Sequence, residues 1–291
     1  MNLEKKQIRI IIDLLSDGDA DIVASMRHKL FELGENAVQA ILDATPPDSR
    51  VHKEASRVLM RFREPSIEER FRNLATDECG DIDLEEGVFT LARFAYPHLD
   101  VGTYKTRLGH MAFELAPQVA PDDHPIRVIR TLNHYLFETQ KFRAPLQYDP
   151  DDTFLNSVLD RKRGWPITLS VIYLILGQRI DLPLTGVAMP KHYIVKYSAP
   201  SGQEIFIDPY HHGQVLTPNE CAEMIGEKLT DDLLPEATNR FTLFRMMNNL
   251  KHTYLSSGEN TDAKRIEGLI QILQEVNCHR HKPKRPWHFR F

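Results

Sequence analysis

Cysteine is scarce in this chain: three residues in 291, Cys79, Cys221 and Cys278, stand far apart in sequence. An odd number with no C-x-x-C pair excludes a disulfide framework and fits a reducing compartment, so a cytoplasmic location is expected. Long apolar runs are also missing. No stretch reaches the ~18 residues that a membrane span needs, so no membrane partner is expected. The first residues, MNLEKKQIRIIIDLLSDGD, hold an apolar run too short and too charged for a secretory signal. Basic residues are not in excess: 36 Lys and Arg face 41 Asp and Glu, a net charge of −5. That balance argues against a general nucleic-acid binder. No H-E-x-x-H or other compact ligand spacing marks a metal site, and no cofactor is expected.

The rest of the composition is that of an ordinary globular protein, 42% hydrophobic and 26% charged, and the length suffices for a full core. Residues 1–66 read as short helices. Leu3, Ile8, Ile11, Ile12 and Leu15 mark one apolar face, and Ile22, Val23, Met26, Leu30 and Phe31 the next, stopped by Gly34. Two more helices are expected near 37–44 and 52–63, a pattern resembling HEAT-type repeats. Residues 67–236 form a second, larger region. There Leu84–Tyr96, Tyr104–Ala116 and Ile126–Phe137 carry helical spacing. Residues 237–278 read as a helical pair resembling one TPR hairpin. The tail 279–291 has five Lys or Arg, three His and no acid, and is the one hint of nucleic-acid contact.

The stretch from Asp160 to Asp208 organises the chain. A basic run, Arg161 to Arg163, leads through Gly164 and Trp165 to Pro166, which suits the first turn of an apolar helix. That helix should run to about Arg179, before Asp181-Leu182-Pro183. Two strands follow, near Tyr193–Tyr197 and Glu204–Asp208, joined by Ala199-Pro200-Ser201-Gly202. His192 opens the first strand and Asp208 closes the second, so the two can meet across an antiparallel ladder. A strand-borne His and Asp beside a helix N-terminus is the layout of a Cys-His-Asp catalytic site.

Several further motifs appear in order. They are Asp83-Leu84-Glu85-Glu86-Gly87, Ala95-Tyr96-Pro97-His98-Leu99-Asp100, Phe154-Leu155-Asn156 and Arg163-Gly164-Trp165-Pro166-Ile167-Thr168-Leu169. Met189-Pro190-Lys191-His192-Tyr193, Ile207-Asp208-Pro209-Tyr210 and Arg245-Met246-Met247-Asn248-Asn249-Leu250-Lys251 follow. Together they resemble the SirB1 family of transglutaminase-like proteins over roughly residues 70–277. The resemblance implies an α-rich α+β fold: a transglutaminase-like, papain-related core with a small antiparallel sheet, flanked by HEAT-like helices and a C-terminal helical pair. It also implies that Pro166 occupies the position of the superfamily's nucleophilic cysteine, and that Lys191 stands where relatives often have Gly.

Three readings of the centre follow. A non-catalytic binding or regulatory module would hold a protein or peptide partner in a cleft around His192 and Asp208, bordered by Asn156, Arg163, Gly164, Trp165, Pro166, Lys191 and Tyr210. A hydrolase or acyl transferase would use Thr168 or Ser170 as nucleophile with His192 and Asp208. A helical Ser or Thr more often bonds a carbonyl one turn earlier. An adaptor would work through its helical ends. A metal bound by Asp208, His211, His212 and His192 lacks a recognised spacing, and adjacent His residues point apart in an extended chain. Asn156 can equally make a turn or cap hydrogen bond. Arg161–Arg163 with Lys191 could form an anion-attracting rim or simply be solvated charge. Cys221 should pack inward after a helix start at Thr217-Pro218.

Overall fold

A computed structural model describes residues 5–62, 65–74, 81–119, 123–147, 149–226, 228 and 234–275. The tail 279–291, Cys79, Cys278 and most of the segment 229–234 lie outside them. The chain divides into two compact units, 1–66 and 67–291.

The first unit contains α1 (Lys5–Leu15), α2 (Ala20–Leu33), α3 (Glu35–Asp43) and α4 (Arg50–Phe62). Asp19 caps α2 by accepting from the Asp21 N–H, and Gly34 ends it at φ +93°. The apolar faces read from the sequence meet in one small core of Ile11, Leu15, Leu30, Val38, Ile41, Ala55 and Val58.

The second unit begins with α5 (Ile67–Arg72), α6 (Leu84–Ala95), α7 (Val101–Leu115), α8 (Pro125–Asn133) and α9 (Leu155–Arg161). Asp83 and Asp100 cap α6 and α7. The helix expected over 126–137 leaves α geometry at Asn133 and continues as a π-helical turn, His134–Thr139. Next comes α10 (Pro166–Arg179), in which every residue from Ile167 to Gly177 is buried. A helix apolar on all sides belongs in the middle of a domain, and here helices and sheet surround it.

The sheet follows: β1 (Leu184–Met189), β2 (His192–Ser198), β3 (Glu204–Asp208), β4 (Gln214–Leu216) and, after α11 (Pro218–Ile225), β5 (Glu236–Ala237). All pairings are antiparallel, in the order β4-β3-β2-β1-β5. Side chains alternate between its faces. Tyr193, Val195, Tyr197, Ile205 and Ile207 join the main core with α10. Val187, Met189, Ile194, Phe206 and Leu216 turn to the other face, where Cys221 of α11 covers them.

α12 (Asn239–Ser256) and α13 (Asn260–Glu275) complete the unit. Leu243, Met246, Leu250, Ile266 and Leu269 belong to the same core as α6 and α10, so the C-terminal pair is built into this unit. The fold is the expected α-rich α+β arrangement with a small antiparallel sheet. No helix among the described residues is long and apolar enough to cross a membrane.

Candidate functional site

The site starts at a two-residue turn. Met189 pairs with His192, leaving Pro190 and Lys191 to join β1 and β2. Lys191 takes φ +60°, the left-handed region. A Cβ makes that region costly by about 1–2 kcal/mol, whereas glycine enters it freely. The backbone at this position is therefore one that suits glycine better than lysine. Lys191→Gly should stabilise the protein by roughly 0.5–1 kcal/mol, the strain relieved less the extra unfolded-chain entropy of Gly. The urea midpoint should rise with an unchanged slope. The Lys191 side chain is exposed at the corner.

Asp208 is fully buried at the end of β3. Continuing the β2–β3 register from Val195↔Ile207 sets Asp208 opposite Ile194, so His192 lies one diagonal step away on the same face. The His192 ring reaches across, Nε2 to Asp208 Oδ2 at 2.8 Å. His211 adds its Nδ1 to the same oxygen at 2.7 Å. The Tyr210 N–H donates to Oδ1 at 3.0 Å. Burial pushes the Asp208 carboxyl upward, but the hydrogen bonds and charges of His192 and His211 outweigh it and hold the group below its usual range. An ionised carboxylate only accepts, so the proton lies on Nε2 of His192 and on Nδ1 of His211.

The turn after β3 delivers the second imidazole. Pro209–His211 forms one 3-10 turn. The Gly213 N–H closes it by donating to the Asp208 carbonyl at 2.8 Å. Asn133, where α8 gives way to the π turn, donates Nδ2 to the Gly213 carbonyl at 2.7 Å. Tyr210 meets the His192 ring edge-on, centroids 6.1 Å apart. His212, at φ +56°, departs the other way and packs on Phe137. Adjacent histidines do point apart, and it is His211 that joins the site. The Asp208-x-x-His211 spacing was the available signal. One ligand atom each from His192, Asp208 and His211 lies within 4.8 Å of the others.

The two hydroxyls weighed as nucleophiles are elsewhere. Thr168 is fully buried and its Oγ1 donates to the Thr153 carbonyl at 3.4 Å. Ser170 is also fully buried, and its Oγ lies 2.8 Å from the Pro166 carbonyl and 3.4 Å from that of Tyr193. Neither bonds His192. The reason lies in the sheet: α10 packs on the Tyr193 and Val195 face, whereas alternation gives His192 and Asp208 the face of Ile194 and Phe206.

Asn156 is buried and lines an open cleft of about 680 Å³ with Tyr96, Pro97, Leu99, Tyr104 and Asp160, while Arg163, Gly164, Trp165, Pro166, Lys191 and Tyr210 lie outside it. Arg163, expected at an anion-attracting rim, instead donates Nε to Asp152 Oδ1 at 3.0 Å. Arg161 pairs with Asp149 at 2.8 Å and Asp151 at 3.3 Å. Arg161 and Arg163 are thus neutralised by an acidic loop ten or so residues upstream, while Lys162 donates Nζ to Gln140 Oε1 at 2.8 Å. Burial pushes Asp152 up to about 6 despite Arg161. Gly164 backs onto Val158, where a Cβ would come within 2.8 Å of a methyl. Trp165 is the half-in residue before Pro166, the first residue of α10.

Cys221 packs inward as its position predicts. A complete capping box at Thr217 and Glu220, with Pro218 next, starts α11. Burial first, then the charges of Glu220 and Asp208, push its thiol up to about 11, which rules it out as a ready nucleophile.

With fold and site in view, the chain belongs to the transglutaminase-like superfamily, whose family model matches residues 102–248. Its similarities narrow this to the SirB1 type. It is 29% identical over 214 residues to a UPF0162 protein of Xylella fastidiosa, covering 70% of this chain and 76% of that one. It is 24% identical over 215 residues to Protein SirB1 of Salmonella typhimurium, covering 70% and 79%. F-box only protein 21 of Homo sapiens is 29% identical over 159 residues, covering 51% of this chain and 23% of the other. No solved structure matches.

Proposed function

We propose that this protein is a non-catalytic binding or regulatory module of the cytoplasm. It holds a protein or peptide segment at the corner formed by His192, Asp208, Tyr210 and His211. The observation that carries this reading is that, among the described residues, no hydroxyl or thiol is hydrogen-bonded to His192. Pro166 opens α10, and the Thr168 and Ser170 hydroxyls are directed to backbone carbonyls in a fully buried setting. A serine or threonine oxygen is far less acidic than a thiol and needs a base within hydrogen-bond reach. The corner is open on one side, since the His211 side chain is 53% exposed and that of His192 12%. An imidazole pair fixed by a carboxylate, beside a half-buried tyrosine, offers hydrogen bonds and an aromatic edge to a peptide.

Two measurements test this. The first treats the protein with an activated ester and maps adducts by mass spectrometry. No acyl group should appear on Thr168 or Ser170, and a stoichiometric adduct on either would restore the acyl-transfer reading. The second pans a displayed peptide library on the wild type and on His192→Ala, Ser170→Ala and Thr168→Val. Selected peptides should bind at least about tenfold more weakly to His192→Ala, an ordinary loss for one well-placed buried polar contact, and equally well to the folded Ser170 and Thr168 variants. Partner binding that ignores His192→Ala but disappears on deleting residues 1–64 would favour an adaptor instead.

A further inference from the structure

We propose that His192, Asp208 and His211 form a binding site for a borderline divalent transition ion, zinc by preference. The three ligand atoms, His192 Nε2, Asp208 Oδ2 and His211 Nδ1, already converge: both nitrogens lie 2.7–2.8 Å from the one oxygen, and all three are within 4.8 Å of one another. Zinc holds nitrogen and oxygen donors at about 2.0–2.2 Å in a tetrahedron, so small adjustments of side-chain angle admit the ion. Two imidazoles and one carboxylate suit zinc and its neighbours better than magnesium or calcium, which prefer oxygen alone.

The supports are those of a built site. The Tyr210 N–H holds Oδ1, which orients the carboxylate and leaves Oδ2 for the ion, as outer-shell partners do in metal sites. His192 is fixed in the β1–β2 ladder. His211 is fixed by the 3-10 turn that Gly213 and Asn133 close. Coordination needs Nε2 of His192 and Nδ1 of His211 free of protons, so the proton each directs at Asp208 is displaced through solvent and each ring keeps one proton on its other nitrogen, Nδ1 of His192 and Nε2 of His211. No oxidant or reductant is involved. Three protein ligands leave a fourth position, reached from the exposed side at His211 and taken by water or by a donor atom of the bound segment. Only that last step rests on the binding reading; the ion site stands without it.

The test uses the full chain, stripped with a chelator and titrated with zinc alone against a chromophoric competitor. One zinc per chain is expected at micromolar free metal. His192→Ala and His211→Ala should each weaken it by more than the roughly 10- to 100-fold that loss of an outer-shell partner costs. His212→Ala should leave it unchanged. Because the tail carries further histidines, a His279→Ala/His281→Ala/His288→Ala variant should retain the ion. Cobalt in place of zinc should give visible d–d bands without a thiolate charge-transfer band. Should the alanine variants not fold, the wild type still decides: zinc must protect His192 and His211 from diethyl pyrocarbonate, mapped by mass spectrometry. Zinc binding that survives His192→Ala/His211→Ala, binding lost with the tail histidines, or no protection and no stoichiometric zinc in the wild type would each overturn the site. Peptide binding without zinc would leave the binding reading intact and remove this one.

Discussion

Replacing Asp208 with Ala will lower the folding free energy by about 3–5 kcal/mol, a large part of the ~5–15 kcal/mol that holds a typical domain together. The carboxylate is fully buried and accepts from His192, His211 and the Tyr210 N–H. Each hydrogen bond to a charged group contributes about 1.5–3 kcal/mol, not additively when they share one acceptor group. Removing the acceptor leaves the Tyr210 N–H and the largely buried His192 nitrogen without partners. Asp208→Asn keeps the shape and an oxygen for Tyr210, and the histidines can present an acceptor nitrogen to the new amide. It should cost only about 1–2 kcal/mol. Denaturant melts of the three proteins at pH 7 measure both. A loss under about 1 kcal/mol for Asp208→Ala would show that the pair does not hold the hairpin to its turn.

The same carboxylate sets a pH dependence. Its folded-state pKa lies below the usual value. Its contribution is therefore fully present above the unfolded pKa near 3.9 and is lost as pH falls through the folded value. The wild type should lose stability below about pH 4 more steeply than Asp208→Asn, which has nothing to protonate there. Stability against pH for the two proteins should converge in acid and separate towards neutrality.

How far the sequence revealed this site depends on which features are local. Pro166 and the apolar run behind it, interrupted by Thr168 and Ser170, specify α10 from local sequence. Thr217-Pro218 with Glu220 specifies the start of α11 for the same reason. His192 and Asp208 could be paired from the two strand patterns and the turn between them. Other features are set by distant partners. Thr168 and Ser170 sit at inviting offsets from the helix start, but the face each hydroxyl takes is decided by the sheet packed on α10. Arg161 and Arg163 read as free cations until the loop at Asp149–Asp152 folds back on them. The π turn after Asn133 has no signature in a 3.6-residue period. The strands missed were β1, β4 and β5. The last two are three and two residues long, and β1 carries Thr185, Gly186 and Ala188, a weak strand pattern.

Gly186, which weakens that pattern, is also why β1 can lie where it does, and Gly186→Ala should cost about 2–4 kcal/mol. Gly186 pairs with Val195. Tyr193 is two residues along on the same face and lies across the gap. A Cβ on Gly186 would fall 1.9 Å from the Tyr193 hydroxyl oxygen and 2.8 Å from the ring carbon that bears it. The ring cannot simply swing away. It is buried, and its hydroxyl is 2.6 Å from Thr242 Oγ1 on α12. Thr242 directs its own proton to the Thr238 carbonyl at 2.9 Å, so Tyr193 is the donor in that pair. An Ala methyl must break this bond or push β1 off β2. Overpacking costs about 1–3 kcal/mol and the lost buried hydrogen bond about 1–3 more, less the roughly 0.5–1 kcal/mol by which Ala is better than Gly in a strand. A double-mutant cycle separates the parts. Tyr193→Phe alone forfeits the hydrogen bond, so combining it with Gly186→Ala should cost about 1 kcal/mol less than the sum of the two. Strict additivity would mean the methyl is accommodated by the backbone and leaves Tyr193 in place. In the coupled case the disturbance reaches the site, because His192 is the next residue on β2 and moves with Tyr193. The His192–Asp208 hydrogen bond, followed through the ring proton by nuclear magnetic resonance, should weaken in Gly186→Ala before the protein unfolds.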